Sequence, residues 1–241
     1  RSATARLINS VDGPDMNANW LWAILEVEPD RWWLATYGDG ILDYQASTGR
    51  GRRLRHNPLV ATSLSHNRTA AMLRDRSGAV WVGTERGLDR HDPTVKVFDN
   101  IFGDAAQPIM EASALMTDAQ GKIWVGQTDK GIRIIDPETQ RGSHIDLEPR
   151  GLGPRSSAGV ILSMAPDGQE RAWVGTQQGL YRIDKTGPTA QREALPLANP
   201  YPRVTAVVAD KTQLWLGTNS GLHLYTPGTG LIQSYAQASG L

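Results

Sequence analysis

The stretch WVGTERGLDRHDP (residues 81–93) decides how the chain is read, because it is not unique. Aligned on its tryptophan, it recurs as WLATYGDGILDY from Trp33, WVGQTDKGIRIIDP from Trp124, WVGTQQGLYRID from Trp173 and WLGTNSGLHLYTP from Trp215. Successive tryptophans stand 48, 43, 49 and 42 residues apart. Five copies at near-constant spacing are one structural unit used five times, since a fixed period of this size marks repeat architectures.

The flanks repeat as well. Ahead of each tryptophan lies a short alternating segment and then a turn, as in AAMLRDRSGAV and SALMTDAQGKI. Asp75 to Gly78 and Asp118 to Gly121 carry tight-turn chemistry that joins two strands. The first copy uses Glu28-Pro29-Asp30 instead, and the last has no glycine there. After the second glycine comes a third strand closed by Asp92-Pro93, Asp136-Pro137 or Thr226-Pro227, and then a fourth segment such as VKVFDN. The pattern predicts four strands of four to six residues per repeat and no helical period.

Four antiparallel strands per 42 to 49 residues is the signature of a β-propeller blade. The chain is therefore expected to be all-β, one propeller domain over 1–241. The blades are placed at about 17–60, 61–107, 108–155, 156–200 and 201–241, with 1–16 an outer strand of a preceding blade plus linker. Trp33, Trp81, Trp124, Trp173 and Trp215 are read as packing between blades, with the small residue two positions on leaving room for the neighbour. Gly40, Gly87, Gly131, Gly179 and Gly221 are expected to supply positive φ in the second turn or close blade approach, and the Leu or Ile that follows should enter the core.

Composition narrows the function classes. With 25 basic and 25 acidic side chains the formal net charge is zero, which argues against a nucleic-acid partner. There is no cysteine, so disulfides and thiolate metal sites are ruled out. His56, His66, His91, His144 and His223 show no metal-ligand spacing, and neither metal nor cofactor is expected. No phosphate loop, nucleophile elbow or paired-carboxylate motif appears, so no catalytic residue is assigned. GRGRRLRH (49–56) reads as a solvated outer strand before it reads as a headgroup-binding patch.

The motif resembles the two-component regulator propeller repeats, most closely in SLSHNRTAAMLRDRSGAVWVGTERGLDRHDP (63–93) and DAQGKIWVGQTDKGIRIIDP (118–137), and less in the first copy, where Ala35 replaces the glycine. The resemblance covers about residues 17–241. It implies a periplasmic sensor region of a hybrid histidine kinase or membrane diguanylate cyclase. Such a region signals through a membrane helix, absent from this chain, to an output domain. It also implies more repeats than five, in seven-bladed or longer arrays; a closed five-bladed ring is the second choice.

Within each blade the loop between strands two and three shares a face with the loops that join blades. The residues that vary there are Tyr37 and Asp39, Glu85 and Arg86, Thr128 with Asp129 and Lys130, Gln177 and Gln178, and Asn219 and Ser220. Variation on a constant frame suits a recognition surface, and a glycan fragment or other small polar solute is the ligand class expected, with homodimerisation through the full-length protein. Exposed Trp22 or Trp32 would mark a contact site. A propeller lyase or hydrolase is the alternative reading, and a protein-interaction scaffold the second.

Overall fold

The computed structural model describes residues 20–103, 108–128, 131–145, 160–168, 171–184 and 190–235. The described residues contain twenty strands and no helix. Blade one comprises β1 (Leu21–Glu28), β2 (Arg31–Thr36), β3 (Ile41–Gln45) and β4 (Arg50–Leu54); blade two, β5 (Thr69–Arg74), β6 (Val80–Thr84), β7 (Gly87–His91) and β8 (Phe98–Ile101). Blade three comprises β9 (Ala112–Thr117), β10 (Ile123–Gln127), β11 (Ile132–Ile135) and β12 (Gly142–Ile145). Blade four follows with β13 (Ile161–Pro166), β14 (Arg171–Thr176), β15 (Gly179–Asp184) and β16 (Ala190–Glu193). Blade five holds β17 (Val204–Asp210), β18 (Gln213–Thr218), β19 (Gly221–Thr226) and β20 (Leu231–Tyr235). Each blade is a four-stranded antiparallel sheet in sequence order, the β-propeller arrangement. The chain divides into two compact units, Arg1–Phe102 with blades one and two and Gly103–Leu241 with blades three to five.

Two first strands run longer than the sequence pattern predicts. β1 has 8 residues and β17 has 7. Their hairpins lack the Asp-x-x-Gly turn, so the ladder runs on to Glu28↔Arg31, past a register shift at Val27, and to Asp210↔Gln213, and closes over two residues. Asp30 and Lys211 adopt positive φ to make those tight turns.

In blades two and three the aspartate at the head of the turn does two jobs. Asp75 Oδ1 accepts the Ser77 and Ala79 N–H groups, and its Oδ2 accepts Trp81 Nε1 at 2.7 Å. Asp118 repeats this with Gln120, Lys122 and Trp124 Nε1 at 3.0 Å. The carboxylate thus fixes the turn and satisfies a buried indole N–H that would otherwise cost about 1–3 kcal/mol.

Three motif tryptophans lie in clusters with residues of a following blade. Trp33 sits against Val80, Val82 and Phe98 of blade two. Trp124 lies with Ile161 and Val174 of blade four, and Trp173 with Val207 and Leu216 of blade five. The small residue two positions on has a steric cause. A Cβ on Gly126 would stand 2.6 Å from Ile161 Cγ2, and one on Gly175 2.8 Å from Val204 O, both in the next blade. Trp215 is only partly buried and tilts against Tyr235. After the second glycine, Ile41, Leu88, Ile132 and Leu180 are fully buried, whereas Leu222 is half-buried.

The second turn is built by the motif threonine. Thr36, Thr84, Thr176 and Thr218 each donate their hydroxyl to the carbonyl of Gly40, Gly87, Gly179 or Gly221. All five turn glycines, Gly131 included, have positive φ. At Gly40 (φ +71) the demand is also steric, because a Cβ would lie 2.1 Å from Leu54 O.

Candidate functional site

Every first strand carries a β-bulge close to its start, on the edge that meets the second turn. The extra residue is Trp22, Ala70, Ser113, Leu162 or Thr205. A bulge re-aims one side chain out of the alternation. In blade one that side chain is a tryptophan, and it is half-exposed.

Trp22 stacks on Tyr37, with ring centroids 5.7 Å apart and planes at 18°. Tyr37 is the first residue of the β2–β3 turn and is itself half-exposed. The Arg68 guanidinium lies over the other part of this array, 4.2 Å from the Tyr37 ring centroid, and Arg68 Nη2 donates to Tyr37 Oη at 2.5 Å. Arg68 Nη1 pairs with Glu85 at 2.5 Å. Glu85 opens the β6–β7 turn of blade two. Trp22, Tyr37, Arg68 and Glu85 therefore form one continuous row across two blades, with exposed Trp20 next to Trp22 in the chain.

The backbone holds this row in place. Tyr37 and Arg68 form an antiparallel bridge. Gly40 N–H donates to Asn67 O, and Thr36 N–H to Thr69 Oγ1. Tyr37 N–H donates to Trp20 O and Glu85 N–H to Arg68 O. His66 Nδ1 accepts the Arg68 N–H at 3.1 Å, so the ring carries its proton on Nε2. Burial, aided by Arg86 and Arg68 and opposed by Glu85, holds its pKa below the ordinary histidine value. His66 is accordingly neutral at pH 7 beside the Arg68–Glu85 pair.

The other expected residues have different fates. Asp39 turns outward, and its carboxylate pairs with Arg53 at 3.2 Å and Arg55 at 2.5 Å. With Arg52 on Asp43, three of the four arginines of 49–56 are matched by acids of their own blade. Arg86 is exposed beside Glu85. In the second unit, Gln177 is exposed, and Gln178 O accepts Arg192 Nε at 3.0 Å. The Arg192 guanidinium stands 3.7 Å over Tyr201. Asn219 and Ser220 are exposed, but Ser220 Oγ and Thr218 Oγ1 both contact His223 Nε2, so the serine hydroxyl is committed inward. Asp129 and Lys130 lie outside the described residues. Trp32 is half-buried against Leu34, Leu42 and Tyr44.

The sequence reading missed Arg68 and His66. Both lie in the segment that joins blades one and two, on the same face as the varying turn residues. That placement is the signal that could have found them. The resulting surface joins a flat aromatic face to an arginine–carboxylate pair.

Residues 63–86 match the family model named Two component regulator propeller. The chain is 26% identical over 215 residues to Histidine kinase P4 of Formosa agariphila, a match covering 84% of this chain and 15% of that protein. The extracellular domain of BT4673 from B. thetaiotaomicron superposes with a TM-score of 0.64 at 23% identity, covering 86% of this chain and 28% of that one. The extracellular domain of BT3049 from the same organism, assigned to a hybrid two component system, gives 0.67 at 18% identity over 96% and 32%. A virginiamycin B lyase from Staphylococcus aureus gives 0.66 at 12% over 90% and 69%. The structural likenesses establish the propeller fold. The chain spans about a third or less of the length of the kinase and of the two extracellular domains.

Proposed function

We propose that this chain is the ligand-sensing propeller portion of an extracytoplasmic receptor in bacterial signal transduction. It is not itself catalytic. A glycan fragment or similar polyhydroxylated solute binds the turn face of blades one and two. Binding biases how two copies of the full-length protein associate, and so biases a histidine kinase or diguanylate cyclase output domain beyond residues 1–241. The observation that carries this reading is the row Trp22–Tyr37–Arg68–Glu85, in which an exposed indole is bulged out of its strand and stacked on a tyrosine held by an arginine. Aromatic platforms with one adjacent charged pair suit sugar recognition, where stacking supplies area and the polar groups set orientation. The match of residues 63–86 and the kinase relative support the signalling context.

The test is isothermal titration calorimetry of the 241-residue chain against a panel of neutral and acidic oligosaccharides. Binding to one class, lost in Trp22→Ala and in Glu85→Ala, supports the reading. Absence of any binder together with capture of a defined partner protein on the same face would replace it with the scaffold reading. Turnover of a glycan or lactone by the chain would replace it with the enzyme reading.

A further inference from the structure

Blade one breaks the aspartate–indole rule that blades two and three obey. The aspartate stands six residues before the tryptophan in Asp75–Trp81 and Asp118–Trp124. The strand register matches as far as the tryptophan, with Trp33 facing Leu25 as Trp81 faces Leu73 and Trp124 faces Met116, and in blade one the ladder then shifts between Glu26 and Glu28, so that Val27 is bulged. Six residues before Trp33 stands Val27, which can accept nothing from an indole. Trp33 is 2% exposed, and its Nε1 has no hydrogen-bond partner among the described residues.

A cavity of about 40 Å³ lies at this point, between blades one and two. It exceeds the ~10–15 Å³ that one water requires. Val27, Trp33 and His91 line it, together with the cationic side chains of Arg31, Arg52 and Lys96 and the acid Glu28, which pairs with Arg31 at 3.3 Å. His91 meets Trp33 edge-on, 4.9 Å between ring centroids, and its buried Nδ1 likewise has no hydrogen-bond partner among the described residues. Two buried nitrogens and the Lys96 ammonium, beside the Arg31 and Arg52 guanidiniums that Asp43 and Glu28 hold, therefore converge where blades two and three place a carboxylate of their own.

We propose that this cavity is a binding site for a small carboxylate anion of formate or acetate size, which supplies in trans the acceptor that Asp75 and Asp118 supply in cis. One carboxylate oxygen takes the Trp33 Nε1–H. The other takes the His91 Nδ1–H tautomer and faces Lys96 at the mouth. Arg31 and Arg52 are already held on Asp43 at 2.6 and 2.9 Å, and Arg31 also on Glu28 at 3.3 Å, so Lys96 supplies the positive charge that the anion meets. The site lies at the β1–β2 turn, the opposite end of the blade from the Trp22–Tyr37 row.

The experiment follows the indole N–H resonances of the ¹⁵N-labelled chain during titration with sodium acetate, with sodium chloride as the control at matched ionic strength. The expected result is a saturable downfield shift of the Trp33 indole signal with acetate and not with chloride, and a Kd on the order of millimolar, as befits so few atoms. Lys96→Met, a change at an exposed position, is expected to weaken acetate several-fold. Val27→Asp is expected to move the Trp33 signal without added acetate and to abolish the titration. A Trp33 signal that ignores acetate overturns the proposal, as does an equal response to chloride. Should Val27→Asp not fold, Lys96→Met decides alone: unchanged acetate affinity in that variant overturns the proposal.

Discussion

Trp81 Nε1 donates to Asp75 Oδ2 at 2.7 Å across six residues of chain. The same carboxylate closes the β5–β6 turn through the Ser77 and Ala79 N–H groups, so a single side chain couples hairpin geometry to the burial of the largest residue in the blade. Asp75→Ala should destabilise the chain by about 2–4 kcal/mol, the sum expected for an orphaned indole N–H and a lost turn. Asp75→Asn keeps one acceptor oxygen and should cost less. Urea unfolding of the 241-residue chain at neutral pH measures both, and a change below half a kilocalorie for the alanine variant would refute the coupling.

Asp89 is fully buried and faces Ser65 N–H and Asn100 Nδ2 rather than a cation. Burial lifts its pKa from 3.8 to about 6, against the hydrogen bonds that lower it. The folded state therefore favours the protonated acid. Its contribution to stability is greatest below pH 3.8, is lost as pH rises through about 6, and is flat above that. The loss amounts to ~3 kcal/mol across the window. Unfolding midpoints from pH 4 to pH 7, compared with Asp89→Asn, should differ by a slope confined to that window; parallel curves would sink the assignment.

Arg68 and Glu85 are partly solvated, with 43% and 30% of their side chains exposed. An ion pair in that setting contributes only about 0–1 kcal/mol. Arg68→Ala should leave the melting temperature within a few degrees of the parent while releasing Tyr37 from its cation and removing oligosaccharide binding. Thermal unfolding and calorimetry on one sample separate the two effects. A variant that loses stability and binding together would make Arg68 a structural residue.

Gly40 and Gly49 have nearly the same φ, +71 and +72. They differ in what a methyl group would meet. At Gly49 no atom of the described residues lies within 4 Å, whereas at Gly40 the Leu54 carbonyl is 2.1 Å away. Gly49→Ala should cost about 1 kcal/mol from backbone strain alone. Gly40→Ala should cost ~3 kcal/mol or more, because backbone must move. Equal costs in denaturant unfolding would show that blade one relaxes at that turn.

The fold was legible because its main determinants are local and repeated. A tryptophan, a small residue two positions on and a glycine beyond it report strand alternation and a turn in every copy, so five weak signals reinforce one another. The partnerships of those residues were less legible. Nothing in the string says that Asp75 reaches Trp81, since that depends on how the turn folds back over the strand. The site row was half visible. Tyr37 and Glu85 stand at varying turn positions, but Arg68 joins them only because the inter-blade segment is drawn against the preceding turn by Gly40 and Thr36. Asp39 looked like its neighbours in sequence. It differs because the outer strand of its own blade brings Arg53 and Arg55 to it.

In four blades the first residue after the second strand is tied by its backbone N–H to a carbonyl at the entry of a first strand: Tyr37 to Trp20, Glu85 to Arg68, Thr128 to Glu111 and Asn219 to Arg203. Such a tie is indifferent to the side chain it carries. The positions proposed to meet a ligand are thus held by a tie that a substitution of their side chain leaves in place. A combinatorial library restricted to these four residues could be screened for new specificities on the same framework. By the same reasoning, natural selection can retune recognition at these turns while the core stays fixed.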